Sequence, residues 1–567
     1  MYGKTKKVII SLIFAILFVF NFGLTACGGT PSHEHTITKE IKAVEATCTE
    51  TGVKAHAYCE ICGALLIKEN GKYTEAEESS LVLEKIPHVF DRRVESEEYF
   101  IAEATADSPQ TFVKSCVCGL KSESESDYFT VGKTLKEYEK ENKADYEPYS
   151  VTLSLYDAEN CVYGFNWNIK GKPARPVVEI KEENSENYTR VRAHYDREGT
   201  YEYGSSGDKQ AYLYYIKAEV ELKPNTAYEY RAGDAYLGVF SETVTLKTVS
   251  PKESGKWSFA HVSDSQAKGN DDNGDKSGIA FADTLDGILQ NDLNRFIVHT
   301  GDVVEWSRYE SFWNNMLDYN FSRLSVIPTM AISGNHEVDY MQGSSVRSGN
   351  GETYKHFNYK IPQQSVKKGI YYSFSYGGAK FIMLNTNELT SEGKLKQSQY
   401  DWLTEELKNN SEKWLIVSMH NPMYSVGKWG SDDTKNNVAK KLTEQLGDLF
   451  AEYGVDLVLQ GHDHMISRTV PIGKGGKGAT ELTETINGIE YSVNPEGTVY
   501  VMNGPAGNQA KGTDAIFSHD ESLYVYAEQS YQSSWAEIEI EGNMLTVHVK
   551  RVQNKNTENI KSWGIKK

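Results

Sequence analysis

Apolar residues change their spacing along the chain, and each spacing predicts a different kind of structure. Between residues 148 and 250 they alternate in short runs (150–155, 177–180, 211–215 and 219–222) separated by turn residues. A period of two with that punctuation predicts half-buried strands, and several in succession predict a β-sandwich. Beyond residue 256, strand-like runs alternate with segments whose apolar positions recur every three to four residues: 279–290, 399–409 and 438–453. That pattern predicts an α/β domain. Residues 535–549 read as a hairpin turning at Gly542-Asn543, completing the sheet, with His548 on a strand face and without a chemical role. Residues 121–147 are rich in Ser, Glu and Lys and lack apolar periodicity, so a linker or a solvated helix is expected there.

The polar residues that end the apolar runs carry the chemistry. Five runs after residue 256 stop at a metal-ligand type: at Asp264, at Gly301-Asp302, at Gly334-Asn335-His336, at His420, and at Gly461-His462-Asp463-His464. In α/β sheets ligand sites gather beyond the carboxyl ends of strands, so residues far apart in sequence can converge there. Carboxylate, imidazole and amide oxygen together suit zinc, manganese or iron. The glycines before Asp302, Asn335 and His462 are expected to let the backbone turn sharply. His462 and His464 would project alike if their segment were extended.

These blocks, in this order over about 260–465, resemble the calcineurin-like metallophosphoesterase superfamily. The preceding strands, with 222–231 similar to late strands of a fibronectin type III-like domain, resemble the domain order of purple acid phosphatases. Residues 372–384 look like the superfamily's central hairpin, and 499–508 like a strand and turn after the last ligand block. The resemblance implies a metallophosphoesterase β-sandwich flanked by helices, preceded by an all-β domain. It further implies that Asp302 bridges two metals, that Asp264 and His464 hold the first, and that Asn335, His420 and His462 hold the second. Two divalent or mixed-valence transition metal ions (Fe, Zn or Mn) about 3.5–4 Å apart would activate water against a small phosphate ester. His336 would donate a proton to the leaving group or stabilise charge, its plain alternative being a structural His beside the metals.

The chain departs from the purple enzymes at three places. Gln266 stands where many superfamily members have His and purple acid phosphatases have Gly, so its amide oxygen is the expected replacement ligand to the first metal. Glu305 stands where the purple enzymes carry a metal-binding Tyr, and is the second candidate. No His occurs in 425–430, so substrate preference does not carry over; Lys428 there either approaches a phosphate or is a solvated loop residue.

Composition narrows the picture further. The chain has 567 residues and a formal net charge of -19, which disfavours a nucleic-acid backbone as partner. Lys4, Lys6 and Lys7 precede an almost unbroken apolar run over 8–22, as in an export signal. Leu24-Thr25-Ala26-Cys27 resembles a bacterial lipobox, which implies acylation of Cys27 and a lipid-anchored protein on the extracellular face of the membrane. Cys48, Cys59, Cys62, Cys116 and Cys118 all precede residue 120, in segments similar to a repeat of Gram-positive surface proteins. Cys59-x-x-Cys62 with Cys48 and a His such as His35 or His88 could hold a structural zinc; the other reading is a disulfide plus loose thiols. The expected organisation is a signal peptide over 1–26, a Cys/His-rich region over 27–120, a linker over 121–147, a sandwich over 148–250 and the α/β domain over 256–552. The oligomeric state stays open.

Overall fold

The computed structural model describes residues 34–140, 142–202, 209–250, 252–268, 277–338, 351–362, 365, 370–430, 438–507, 516, 519–530, 532–553 and 555–567. The export and lipobox segments and Asn508 lie outside them. Two compact units emerge. The first takes in residues up to Arg92 together with Ser115–Glu123. Its described part is a four-stranded antiparallel sheet ordered Ile37–Ile41, His56–Cys59, Leu65–Glu69, Lys72–Glu75. The boundary expected at 120 is therefore displaced, because 93–114 belong to the second unit.

Residues 121–147 are not a plain linker. Tyr128–Val131 pairs antiparallel with Gln110–Val113, Thr134 and Glu137 form a reciprocal capping box around a one-turn helix, and Tyr138 and Tyr146 are buried. Aromatic burial, which carries no short period in sequence, decided this segment.

In the second unit, the alternating pattern between 148 and 250 gives two antiparallel sheets. One is ordered Tyr149–Asp157, Val162–Ile169, Lys209–Glu221, His194–Glu202. The other contains Thr189–Arg192, Pro176–Glu182 and Ala227–Asp234, the last also paired with Val239–Phe240 and Val244–Lys247. Phe165, Trp167, Ile180 and Tyr230 are among the side chains buried in the core. The sandwich meets the α/β region through polar contacts. Thr152 Oγ1 donates to His356 O (2.5 Å), Ser154 Oγ to Thr329 O (2.9 Å) and Tyr230 Oη to Ser325 O (2.7 Å).

The α/β region holds two larger sheets. One runs in the order Thr329–Ala331, Asn294–His299, Trp257–Val262, Ser534–Glu541, Met544–Gln553, Asn556–Lys566, Ile489–Val493, Thr483–Ile486. The other runs Tyr372–Tyr376, Ala379–Met383, Trp414–Ser418, Leu457–Gln460, Val499–Asn503, Met465–Thr469, Tyr524–Gln529. The hairpin turns at Gly542-Asn543 as expected, but the sheet continues past 552 in one more strand. Aromatic rings pack between the sheets: Phe259 stacks on Phe296 (5.5 Å) and meets Phe381 edge-on (5.0 Å). Helices Gln397–Lys408 and Val438–Tyr453 cover the second sheet. Leu442, Leu446 and Phe450, spaced i, i+4, are fully buried there, each contributing about 1.5–3 kcal/mol.

Direction is what matters for the site. Asn294–His299 runs parallel to both Trp257–Val262 and Thr329–Ala331. In the second sheet Leu457–Gln460 runs parallel to Trp414–Ser418. The segments bearing Asp264, Asp302 and Asn335 thus leave the first sheet at the same end, as those bearing His420 and His462 leave the second.

Candidate metal centre

The five strand ends do converge. Donor atoms of Asp302, His420 and His462 lie within 4.8 Å of one another. His420 Nε2 is 3.3 Å from Asp302 Oδ2 and 3.0 Å from Asn335 Oδ1. His464 Nε2 is 3.6 Å from Asp264 Oδ1, and the His462 backbone N–H donates to both Asp264 oxygens (3.2 and 3.1 Å). The Asp264 and Asp302 stretches run side by side, with Asp264 N–H donating to Gly301 O (3.0 Å) and Gln266 N–H to Asp302 O (2.9 Å). His336 stands at the margin. Its Nε2 is 3.8 Å from Asp302 Oδ2, and its Nδ1 lies 2.7 Å from Glu305 O, which fixes the proton on Nδ1.

Two expectations about local backbone need correcting. His462 and His464 are not on one face of an extended segment. His462 has φ +76°, and Asp463 and Met465 donate to the carbonyls two residues back (3.0 and 2.7 Å). Successive tight turns therefore send His462 toward His420 and His464 toward Asp264. Of the glycines, Gly301 does take a left-handed turn (φ +95°), but Gly334 is needed for room: a Cβ there would lie 2.1 Å from Asp302 Oδ1.

Backbone strain marks the same place. Asp264, Gln266, Asp302 and His462 all have positive φ (54°, 40°, 53° and 76°). Such conformations cost about 1–3 kcal/mol each in non-glycine residues and persist where surrounding structure imposes them.

Charges buried in this cluster are paired with one another. Asp302 is 1% exposed, a position where an ionised carboxylate must be paired. Burial alone would raise its carboxyl, yet His420 and His336 hold it far below the ordinary range. Reciprocally, burial disfavours charge on His420, but Asp302 overrides it and lifts the imidazole to about 9. His462 goes the other way, burial pushing it down to about 3, so it offers a lone pair at neutral pH. The donor set suits transition metals, and one orphan fits a missing bond: buried Gln266 Oε1 has no hydrogen-bond partner among the described residues. The Oε2 of Glu305 is likewise buried without one.

Several supporting residues had no role assigned to them from the sequence. The Glu337 carboxylate accepts four backbone N–H groups, from Asp302 (2.8 Å), Val303 (2.9 Å), Val304 (3.2 Å) and Gly334 (2.7 Å). It thereby joins the Asp302 loop to the Asn335-His336 loop. Burial and the neighbouring Asp302 push its carboxyl up to about 7 while those N–H donors oppose the shift. Asp463 accepts from Ser425 Oγ (2.6 Å) and Trp429 N (3.2 Å), and Trp429 packs on the His462 ring at 5.0 Å. Lys428 is exposed, its Nζ 4.8 Å from the Trp429 ring. His548 sits on its strand with Nδ1 2.8 Å from Ser562 Oγ, two strands removed from Trp257–Val262 in the sheet order.

Residues 258–465, which carry all of the candidate ligands at this centre, match the calcineurin-like phosphoesterase family. The chain is 25% identical over 332 residues to purple acid phosphatase 23 of Arabidopsis thaliana, covering 53% of this chain and 63% of that one. It is 31% identical over 223 residues to human acid phosphatase type 7, covering 36% and 46%. The chain thus spans less than two thirds of the length of either relative. The yellow lupin purple acid phosphatase PPD1 shares the fold, with a TM-score of 0.60 and 20% identity over 74% of each chain.

Proposed function

We propose that this protein hydrolyses small phosphate esters at a dinuclear metal centre. Asp302 would be shared by both ions, Asp264, Gln266 and His464 would complete one ligand set, and Asn335, His420 and His462 the other. Bound transition metals would supply Lewis acidity and make water a nucleophile near neutral pH. The chain's own residues do the rest. Glu337 holds two ligand loops in register through backbone N–H groups. His336, with Nδ1–H committed to Glu305 O, presents Nε2 toward the site and can protonate a departing alkoxide. Trp429 shields one side of His462.

The observation that carries this reading is the meeting of Asp302, His420 and His462 from strand ends on two different sheets. The -19 charge fits a small ester better than a nucleic acid. Residues 148–250 fit a fibronectin type III-like module, and the lipobox-like segment supports anchoring through Cys27 outside the cytoplasmic membrane. The test is metal-free full-length protein reloaded with iron, zinc or manganese singly and in pairs, assayed on phosphate mono- and diesters. Binding of about two ions per chain without turnover of any ester would defeat the proposal.

A further inference from the structure

The N-terminal unit brings four soft donors from three stretches of chain to one point. Cys48 Sγ lies 3.5 Å from Cys116 Sγ, Cys118 Sγ lies 3.4 Å from His88 Nδ1, and all four donor atoms fall within 4.8 Å of one another. A disulfide would bring two sulfurs to about 2.05 Å, so Cys48 and Cys116 are not bonded. A tetrahedral ion with bonds of about 2.3 Å to sulfur and about 2.0–2.1 Å to nitrogen separates its ligand atoms by roughly 3.5–3.8 Å. The two pairs come within about 0.3 Å of that spacing.

Local structure explains how the donors are presented. Gly119, at φ +91°, closes a tight turn in which Cys116 N–H donates to Leu120 O (2.8 Å) and Gly119 N–H to Cys116 O (2.9 Å). Cys116 and Cys118 both face the cluster from that turn. Cys48 sits in a second turn, where Thr47 Oγ1 accepts from Glu50 N (2.9 Å). Ile86 N–H bonds to Thr47 O (3.2 Å), which brings the stretch leading to His88 beside it. Ser115 and Arg92 exchange backbone hydrogen bonds (2.9 and 3.1 Å), seating 115–123 against the end of the first segment.

We propose that Cys48, His88, Cys116 and Cys118 hold a structural zinc ion that fastens residues 115–123 to the earlier part of the unit. Three thiolates and one imidazole favour zinc, and four protein donors leave no open position for a substrate. The ligand set differs from the one the Cys-x-x-Cys spacing suggested. Cys59 and Cys62 instead stand with His35 as a separate three-donor group, with Cys62 Sγ 3.9 Å from His35 Nδ1.

The test uses the reduced full chain carrying Cys59→Ser and Cys62→Ser, so that the remaining cluster is the one under test. Titration with Co²⁺ should give thiolate-to-cobalt charge-transfer absorption that Zn²⁺ displaces, and adding Cys116→Ser should abolish it. His88→Cys retains four donors and should keep the ion while strengthening the absorption, which separates ligand loss from misfolding. Asp302→Ala should leave the band intact, so failure of the phosphoesterase reading and failure of this one are distinguishable. Loss of the band in the Cys59→Ser, Cys62→Ser protein, its persistence after Cys116→Ser, or a Cys48–Cys116 disulfide in the native protein by peptide mass mapping would each overturn the assignment.

Discussion

Replacing Glu337 by Gln isolates what one buried carboxylate contributes to the metal centre. The side chain is 0% exposed, and its two oxygens divide four donors between them. One accepts from Asp302 N and Gly334 N, the other from Val303 N and Val304 N. The amide keeps the shape but turns one oxygen into a donor, so two of the four N–H groups lose their acceptor and face an N–H instead. A buried unsatisfied donor costs about 1–3 kcal/mol, giving a local cost of about 2–6 kcal/mol. With two units present, global unfolding is a poor reporter, so native-state hydrogen exchange at the 302–304 and 334 amides is the suitable assay. At 1.36 kcal/mol per decade the expected loss of protection is between about 30-fold and about 3 × 10⁴-fold. Metal content should fall with it. Protection and metal content both within threefold of wild type would show that the loops are held by something other than Glu337.

Asp302→Ala should abolish aryl phosphate hydrolysis while the circular dichroism of the fold persists; undiminished turnover in metal-loaded variant protein would refute the shared-ligand role. Gln266→Ala should release one of the two ions selectively, whereas equal metal content in variant and wild type would transfer that role to Glu305. Gly334→Ala places a Cβ 2.1 Å from Asp302 Oδ1, and should cut activity at least about tenfold with loss of metal; normal metal titration would contradict the close approach. Lys217 tests pH linkage away from the centre. Burial pushes its amine down to about 7 from 10.5. Its Nζ still donates to Tyr354 O and Phe357 O. Between those values the unfolded chain binds more protons, so the opening free energy of the Lys209–Glu221 amides in native-state hydrogen exchange should rise with pH from about 7 to 10.5 relative to Lys217→Met; parallel profiles would exclude the shift.

The strand ends that carry the candidate ligands were legible because each obeys a local rule: an apolar run, then a turn, then a hard or imidazole donor. The helices over 277–289, 397–408 and 438–453 were legible from their spacing to within two residues at either end. What the sequence hid depends on contacts between distant residues. Glu337, which directly follows His336, shows no role until the backbone N–H groups of Asp302, Val303 and Val304 are seen turned toward it. Tyr138 and Tyr146 lie in a polar stretch that looks solvated because the surfaces they bury against come from elsewhere in the chain. The Cys59-x-x-Cys62 spacing suggested its own partner for Cys48, but chain path sends Cys48 to the 116–118 turn instead. His462 and His464 looked equivalent only on the assumption of extended backbone.

The contact between Ser154 and Thr329 has a practical consequence. Among the described residues, Thr329–Ala331 is the terminal strand of its sheet, hydrogen-bonded to a neighbour strand on one side only. Its other margin faces the strand Tyr149–Asp157, through Ser154 Oγ on Thr329 O and Leu155 N on the Met330 sulfur. Naked strand margins recruit other chains into intermolecular sheets. The sandwich is thus an intramolecular guard against self-association at the very strand that leads into Asn335 and His336. An excised fragment starting at residue 256 would bare that margin and should precipitate, whereas one starting before residue 148 should remain dispersed.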